Sequence, residues 1–193
     1  MQQWYELLSK IEIYQYEVDE PQEIWTETDW LEFESENNLI LPASYKNFCQ
    51  VFGTIELNKA QIICCPNVKF YQKNIAIIKD ELEYQIKLGI INSPESMLEL
   101  LDSGFVFGYT SRAHIYLWDM RTYSKSDLSC DIYFLGLDEY PLVLYPMGRN
   151  FFEFIHDFCL GAKYHKHLPQ HLRPRRSRPW VGSRFIISDL WLK

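Results

Sequence analysis

The sequence predicts an α+β fold, a mainly antiparallel twisted sheet flanked by helices, and three observations carry that expectation. Apolar residues recur at helical spacing at Tyr45, Phe48, Cys49 and Phe52 and again at Ile75, Ile78, Leu82 and Ile86. Four runs rich in aromatic and β-branched residues follow, at Phe105–Tyr109, Ala113–Trp118, Asp131–Leu135 and Leu142–Tyr145. The pattern then reverts to a helix whose core face is Phe151, Phe154, Ile155 and Phe158. Helices, then strands, then a helix is the order of an α+β domain, and no internal repeat of useful period interrupts it.

Taken from the N-terminus, Met1–Lys10 reads as a short helix with Trp4, Leu7 and Leu8 on one side. Ile11–Val18 alternates as a short strand until Asp19-Glu20-Pro21 breaks it. Thr26-x-x-Asp29 is spaced like a capping box and opens a helix carrying Trp30, Leu31 and Phe33. Asn37-Asn38 can close that helix, because Asn tolerates the left-handed conformation a helix end requires. Pro42 suits the first turn of a second helix with Tyr45, Phe48, Cys49 and Phe52 on one face, and Gly53 stands at its stop. Thr54–Leu57 and Gln61–Cys65 read as strands joined by a turn at Asn58-Lys59-Ala60. Lys69–Leu88 is a long helix, and Ser93-Pro94-Glu95 starts a short one, with Ser at the cap and Pro at the first position. The polar stretch Thr122–Ser129 reads as a loop. The domain expectation is a helix/strand extension over 1–21, a main domain over 22–162, and over 163–193 a basic Pro-rich arm with an apolar tail.

A net charge of −7 hides an asymmetry: residues 1–36 hold eleven carboxylates and one Lys, and residues 166–193 hold seven Lys or Arg and one Asp. The first 165 residues therefore carry −13 against +6 in the tail. An acidic body repels phosphates, which argues against nucleic acid and for a basic protein partner or the chain's own tail. The arginines of the arm, Arg173, Arg175, Arg176 and Arg178, are too few to outweigh that body, and a clamp on an acidic face suits them better. No apolar run approaches the ~20 residues a membrane span needs, and the N-terminus lacks the pattern of a secretion signal. Five cysteines without framework spacing read as reduced thiols in a cytoplasmic protein. The tail Trp180–Leu192 is too apolar to be left in water, so it is expected to dock, on its own sheet edge or as a homo-oligomer contact on a second copy.

The stretch from Glu34 to Gly53, with Glu34, Asn37-Asn38, Leu41-Pro42, Tyr45 and Gly53, resembles the opening of the SUKH superfamily, the Smi/Knr-like cell-wall-regulator domains. That family opens with Glu, a Leu-Gly helix end, Leu-Pro, an aromatic-containing helix and a Gly. Here Asn-Asn replaces Leu-Gly, and Asn38 can do the backbone work of the Gly. Phe105-Val-Phe-Gly108 followed by Ile115-Tyr-Leu-Trp-Asp119 is similar to the family's strand pair ending in Trp-Asp. Asn150–Gly161 is similar to its closing helix. The resemblance implies a non-catalytic protein-binding module, in bacteria an immunity protein that neutralises a nuclease-type toxin by direct contact, or a regulatory scaffold of the Smi/Knr type. It also implies that Trp118 and Asp119 stand at an interaction cleft; read from the residues alone, Trp118 is core and Asp119 caps a turn.

Catalytic signatures are missing: there is no Gly-rich phosphate loop, no His-Glu-x-x-His and no Gly-x-Ser-x-Gly. His165-x-His167 with His171 invites a metal reading, but no Cys or paired carboxylate stands beside them to complete a tetrahedral set, so a solvated linker is the better reading. Cys49, Cys64, Cys130 and Cys159 lie in apolar patterns, as buried small hydrophobes do. No cofactor, metal or catalytic residue is expected, although a small α+β hydrolase or transferase stays open as an alternative. Partner contact is assigned to Glu23, Glu27, Asp29 and Glu32 with Trp118 and Asp119; the alternative for the carboxylates is a solvated face.

Overall fold

The computed structural model describes residues 1–15, 25–66, 68–161, 168–173 and 181–184. In chain order these form α1 (Gln2–Leu8), β1 (Glu12–Gln15), α2 (Glu27–Glu36), α3 (Ala43–Phe52), β2 (Ile55–Leu57), β3 (Gln61–Ile63), α4 (Val68–Lys87) and α5 (Glu95–Ser103). The strands β4 (Gly104–Thr110), β5 (Ile115–Ser124), β6 (Ser129–Leu135) and β7 (Leu144–Gly148) come next. Helix α6 (Phe151–Glu153) widens into a π-helical run, Phe154–Leu160, and β8 (Val181–Arg184) follows a short 3-10 turn at Gln170–Leu172. The strands make one sheet in the order β1-β8-β2-β3-β4-β5-β6-β7, antiparallel except where β1 meets β8. The fold is α+β, with an eight-stranded, mainly antiparallel sheet. Among the described residues no helix is long and apolar enough to cross a membrane.

Local chemistry ends the elements where the sequence places their ends. Thr26 accepts from the Asp29 backbone N–H while the Asp29 carboxylate accepts from the Thr26 backbone N–H, a completed capping box. Asn38 is left-handed at φ 50°, which turns the chain out of α2, and Gly53, at φ 65°, stops α3. Asn58 and Lys59, at φ 52° and 55°, make the tight β2–β3 turn. Two expectations are corrected. Pro94 precedes α5 without a side-chain cap from Ser93, so the helix begins one residue later than read. The loop read over Thr122–Ser129 is confined to a turn at Lys125–Leu128: β5 runs to Ser124 and β6 starts at Ser129. The polar strand ends on either side of the turn hold their geometry because Arg149 reaches across them, donating to the Thr122 and Ser129 carbonyls and pairing with Asp127 and Asp131.

The alternation along the strands divides the core into two layers. Tyr116 and Trp118 of β5, with Ile132 and Phe134 of β6, face a large core shared with α1, α2, α3 and the final helix. Ile115 and Leu117 of β5 and Leu135 of β6 face a smaller core under α4 and α5. At Gly108 a Cβ would lie 2.5 Å from the Ile62 carbonyl oxygen, so the β3–β4 approach admits only glycine. The sequence-assigned core residues Tyr45, Phe48, Phe52, Phe154 and Phe158 are all buried. Trp4, in the segment read as an extension, is enclosed by Phe48, Phe52, Phe151 and Phe152 of the main core.

The C-terminal strand is an interior member of the chain's own sheet. Val181–Arg184 pairs with β1 on one side and β2 on the other. Asn58 holds it in place: its backbone N–H donates to the Val181 carbonyl, and its Oδ1 accepts from the Val181 N–H. The same side chain donates through Nδ2 to the carbonyls of Cys159 and Leu160 at the end of the last helix. Trp180 and residues 185–193, the rest of the segment expected to dock or to join two copies, lie outside the described residues.

Truncating Phe154 to Ala is expected to cost about 3–5 kcal/mol in a urea titration, because the ring is buried against Phe107, Tyr116, Phe151 and Phe158. A loss under about 1 kcal/mol would contradict its place in the core. Deleting residues 168–193 removes β8 and the buried Leu168 and Leu172, and should lower the melting temperature; an unchanged melting curve would show that the strand adds nothing to the fold.

Candidate functional site

The residues assigned to partner contact from sequence do not form one patch. Trp118 is fully buried, its ring stacked on Phe107 at 4.0 Å and edge-on to Tyr45 at 4.8 Å. A side chain enclosed in this way cannot meet a partner, so its place in the interaction cleft is corrected to one in the core. Asp119 is the next residue on the strand and points to the other face, midway along β5. Glu27, Asp29 and Glu32 are exposed on α2, and Glu23 lies outside the described residues. Asp29 is committed to the Thr26 cap, and those hydrogen bonds hold its carboxyl below the usual carboxylate range.

Asp119 anchors a rigid charge network. Arg121 forks onto it with Nε at 2.8 Å from Oδ1 and Nη2 at 2.7 Å from Oδ2. The Arg121 backbone N–H also donates to Oδ1, and Nη1 reaches Glu99 at 3.0 Å. The Arg121 hydrogen bonds hold the Asp119 carboxyl below its ordinary range and outweigh the effect of its burial. A bidentate fork of this kind fixes the guanidinium in one orientation with its outer edge in solvent.

Beside this network runs a groove of about 690 Å³, between the α2–α3 turn (Asn37, Asn38, Leu39), helix α4 (Ile75, Lys79) and the α5–β4 junction (Asp102, Gly104), floored by Met120 and Arg121. Lys79 pairs with Asp102 across its rim at 2.6 Å. A second hollow of about 430 Å³, lined by Glu34, Ser35, Ile40 and Tyr123, shares Asn38, Leu39 and Met120 with the first. Glu34 itself pins the α2–α3 turn, accepting from the Leu41 N–H at 2.7 Å and from Lys46 Nζ at 3.0 Å. The two hollows therefore form a continuous cleft at the C-terminal end of the acidic helix α2. Sequence reasoning reached Asp119 and missed Arg121, Lys79, Leu39 and Met120. The one available signal was Asp119-x-Arg121, two residues apart on a strand and hence on one face.

Among the described residues no group of three or more His, Cys, Asp or Glu could hold a metal ion. His171 bonds Glu139 at 2.8 Å, and His165 and His167 lie outside the described residues. Cys49, Cys64, Cys130 and Cys159 are buried, and burial pushes their thiols up, for Cys130 to about 12. Cys65 is partly exposed and held down by its hydrogen bond with Cys49.

The architecture is that of an α+β domain with a groove beside the middle of β5 and the start of β4, and with the end of an acidic helix next to it. The family model SUKH_6, described as SMI1-KNR4 cell-wall, matches residues 27–155, and the chain belongs to that family. No curated protein and no solved structure matches the chain.

The Asp119–Arg121 pair makes a pH prediction. A carboxyl held low in the folded state stabilises the protein above its unfolded value of ~3.9 and loses that contribution as pH falls through the folded value. Arg121→Ala should thus cost about 1–2 kcal/mol at neutral pH, the partial exposure of the guanidinium keeping it modest, and the deficit should shrink in acid. Urea titrations of both proteins across that range check it; a deficit independent of pH would mean the pair is not what holds the carboxyl low.

Proposed function

We propose that this protein is a non-catalytic, cytoplasmic protein-binding module, and that its partner is a basic protein, a nuclease-type toxin domain that it neutralises by direct contact. The observation that carries the reading is the exposed acidic surface of α2, where Glu27 and Glu32 stand free of the helix cap. Family membership supports a binding role, and the −13 charge of residues 1–165 supports a cationic partner. A nuclease presents a basic cleft to its substrate, so an acidic cover would find it quickly and compete with phosphate. The cleft beside Asp119 and Arg121 supplies the shape such a contact needs, and Asp119 contributes by holding Arg121 in place. A regulatory scaffold of the Smi/Knr type is the second reading, favoured by the cell-wall description of the matching family.

The test begins with the reading frame beside the gene. A basic nuclease domain encoded there should lose its activity on DNA or RNA when mixed with this protein in equimolar amount. Its association rate should fall steeply as salt rises, because a field extending about a Debye length, ~8 Å at physiological salt, steers the encounter. Glu27→Gln with Glu32→Gln should slow association more than it speeds dissociation. Asp29 is left unchanged, since its loss would unfasten the α2 cap. An association rate that is flat with salt would leave α2 as a merely solvated face.

A further inference from the structure

Helix α4 carries a second surface, on the other side of the sheet from α2. Ile77, Glu81, Tyr84 and Leu88 recur at spacings of four, three and four, which places them on one face of the helix end. Ile77, Tyr84 and Leu88 are 46, 50 and 55% exposed, and Tyr140, from the loop between β6 and β7, is 59% exposed beside them. The Tyr140 phenol lies near the Glu81 carboxylate, whose charge raises its pKa, and Ile77, Asp80, Glu81 and Leu137 line a shallow hollow of about 340 Å³ at one end of the stripe.

This surface is built, not incidental. Gln85 lies directly behind it, fully buried. Its Nε2 donates to the Glu139 carbonyl at 3.0 Å and to Glu81 Oε1 at 2.9 Å, and its Oε1 accepts from the Leu142 N–H at 2.9 Å. One buried amide thereby fastens both sides of the loop that carries Tyr140 onto α4 and orients Glu81 between the two tyrosines. Amphipathic rings held in place lose little entropy on binding, which is why tyrosines anchor interfaces. The charge around them is negative: Asp80, Glu81 and Glu83 flank the rings, and Lys87 lies 4.0 Å from Glu83. Two copies of the surface would repel each other, whereas ring faces and carboxylates together attract cations.

We infer that the α4–Tyr140 platform is a docking surface for a basic, apolar segment of a partner protein, which sets Lys or Arg over Tyr84, Tyr140 and Glu81 and an aliphatic side chain in the hollow beside Ile77 and Leu137. The inference rests on the basic partner proposed above and adds an apolar anchor, where α2 supplies only long-range attraction.

The experiment uses the full chain and a synthetic amphipathic peptide in which Lys and Arg alternate with Leu, its affinity read by fluorescence anisotropy. Tyr84→Ala with Tyr140→Ala should weaken binding about tenfold or more at an unchanged melting temperature. Glu27→Gln with Glu32→Gln should weaken binding far less than the tyrosine pair does, and mainly through slower association. Amide NMR shifts on adding peptide should concentrate at residues 77–88 and 137–142. If the tyrosine variant binds like wild type while the α2 variant loses affinity, the platform is overturned and the α2 reading stands. If neither pair of changes matters, or if the peptide with Glu in place of Lys and Arg binds equally well, the platform and the basic partner both fall. A wild-type dimer that dissolves in the tyrosine variant, seen by sedimentation, would make the surface a self-contact and would also overturn the inference.

Discussion

Trp118 stacked on Phe107 is the contact around which the main layer is arranged. The pair bridges two neighbouring strands at the middle of the sheet, and Tyr45 from α3 and Phe151 from the final helix close on it edge-on or tilted. Three elements distant in sequence meet at that point. Each well-placed ring pair adds about 0.5–1.5 kcal/mol beyond the area it buries. The cluster extends outward through Phe105 to Phe33 of α2 and through Phe48 to Trp4 of α1. Helix α2 is thus carried by the rings beneath it, through Trp30 and Phe33, and its outer face is left to Glu27 and Glu32. The burial of Trp118 and the exposure of the α2 carboxylates are two ends of one packing arrangement.

A few polar side chains, two of them fully enclosed, determine how the outlying segments join this body. Asn58 ties β8 to β2 and to the last turn of the final helix with four hydrogen bonds, counting its own backbone N–H, and leaves none of its amide idle. Gln85 does equivalent work for the loop at Tyr140, and Arg149 for the β5–β6 hairpin. A buried amide that lost one of these partners would keep the desolvation cost without the compensation, so Asn58 and Gln85 each specify a single arrangement of the chain around them, while the partly exposed Arg149 acts through its charge-assisted fork. The surfaces proposed to meet partners stand on such fixed supports: Arg121 is held by Asp119, and Tyr140 by the loop that Gln85 fastens.

Much of the fold was legible because its signals are local. Thr26 and Asp29 complete a cap three residues apart, Asn38 and Gly53 stand at left-handed positions, and Phe151, Phe154, Ile155 and Phe158 share a face whether the helix winds tightly or, as here, widely. The misreadings have a common cause in long-range chemistry. The segment from Thr122 to Ser129 is polar and looks like a loop until Arg149, some twenty residues on, satisfies its carbonyls. The candidate site was legible only in part: the α2 carboxylates and Asp119 could be picked out by charge and resemblance. The groove itself is lined by Leu39, Lys79, Met120 and Arg121, from segments with no sequence relation to one another.

By itself, then, the sequence determined the class of fold, the order of its elements, the family resemblance and the segregation of charge between an acidic body and a basic tail. All of these depend on residue type and short spacing, which the chain carries whether folded or not. The tertiary structure decided that Trp118 is enclosed in one layer and that Asp119, buried on the opposite face, holds Arg121 at the cleft, since adjacent strand residues point to opposite faces and only the sheet's two coverings reveal what each meets. It also decided that Val181–Arg184 becomes an interior strand between β1 and β2, and that Tyr84 and Tyr140 share one platform. Each of these joins residues far apart in the chain, and such joins are made by packing and by the pairing of buried hydrogen-bonding groups, neither of which has a spacing that can be read along the sequence.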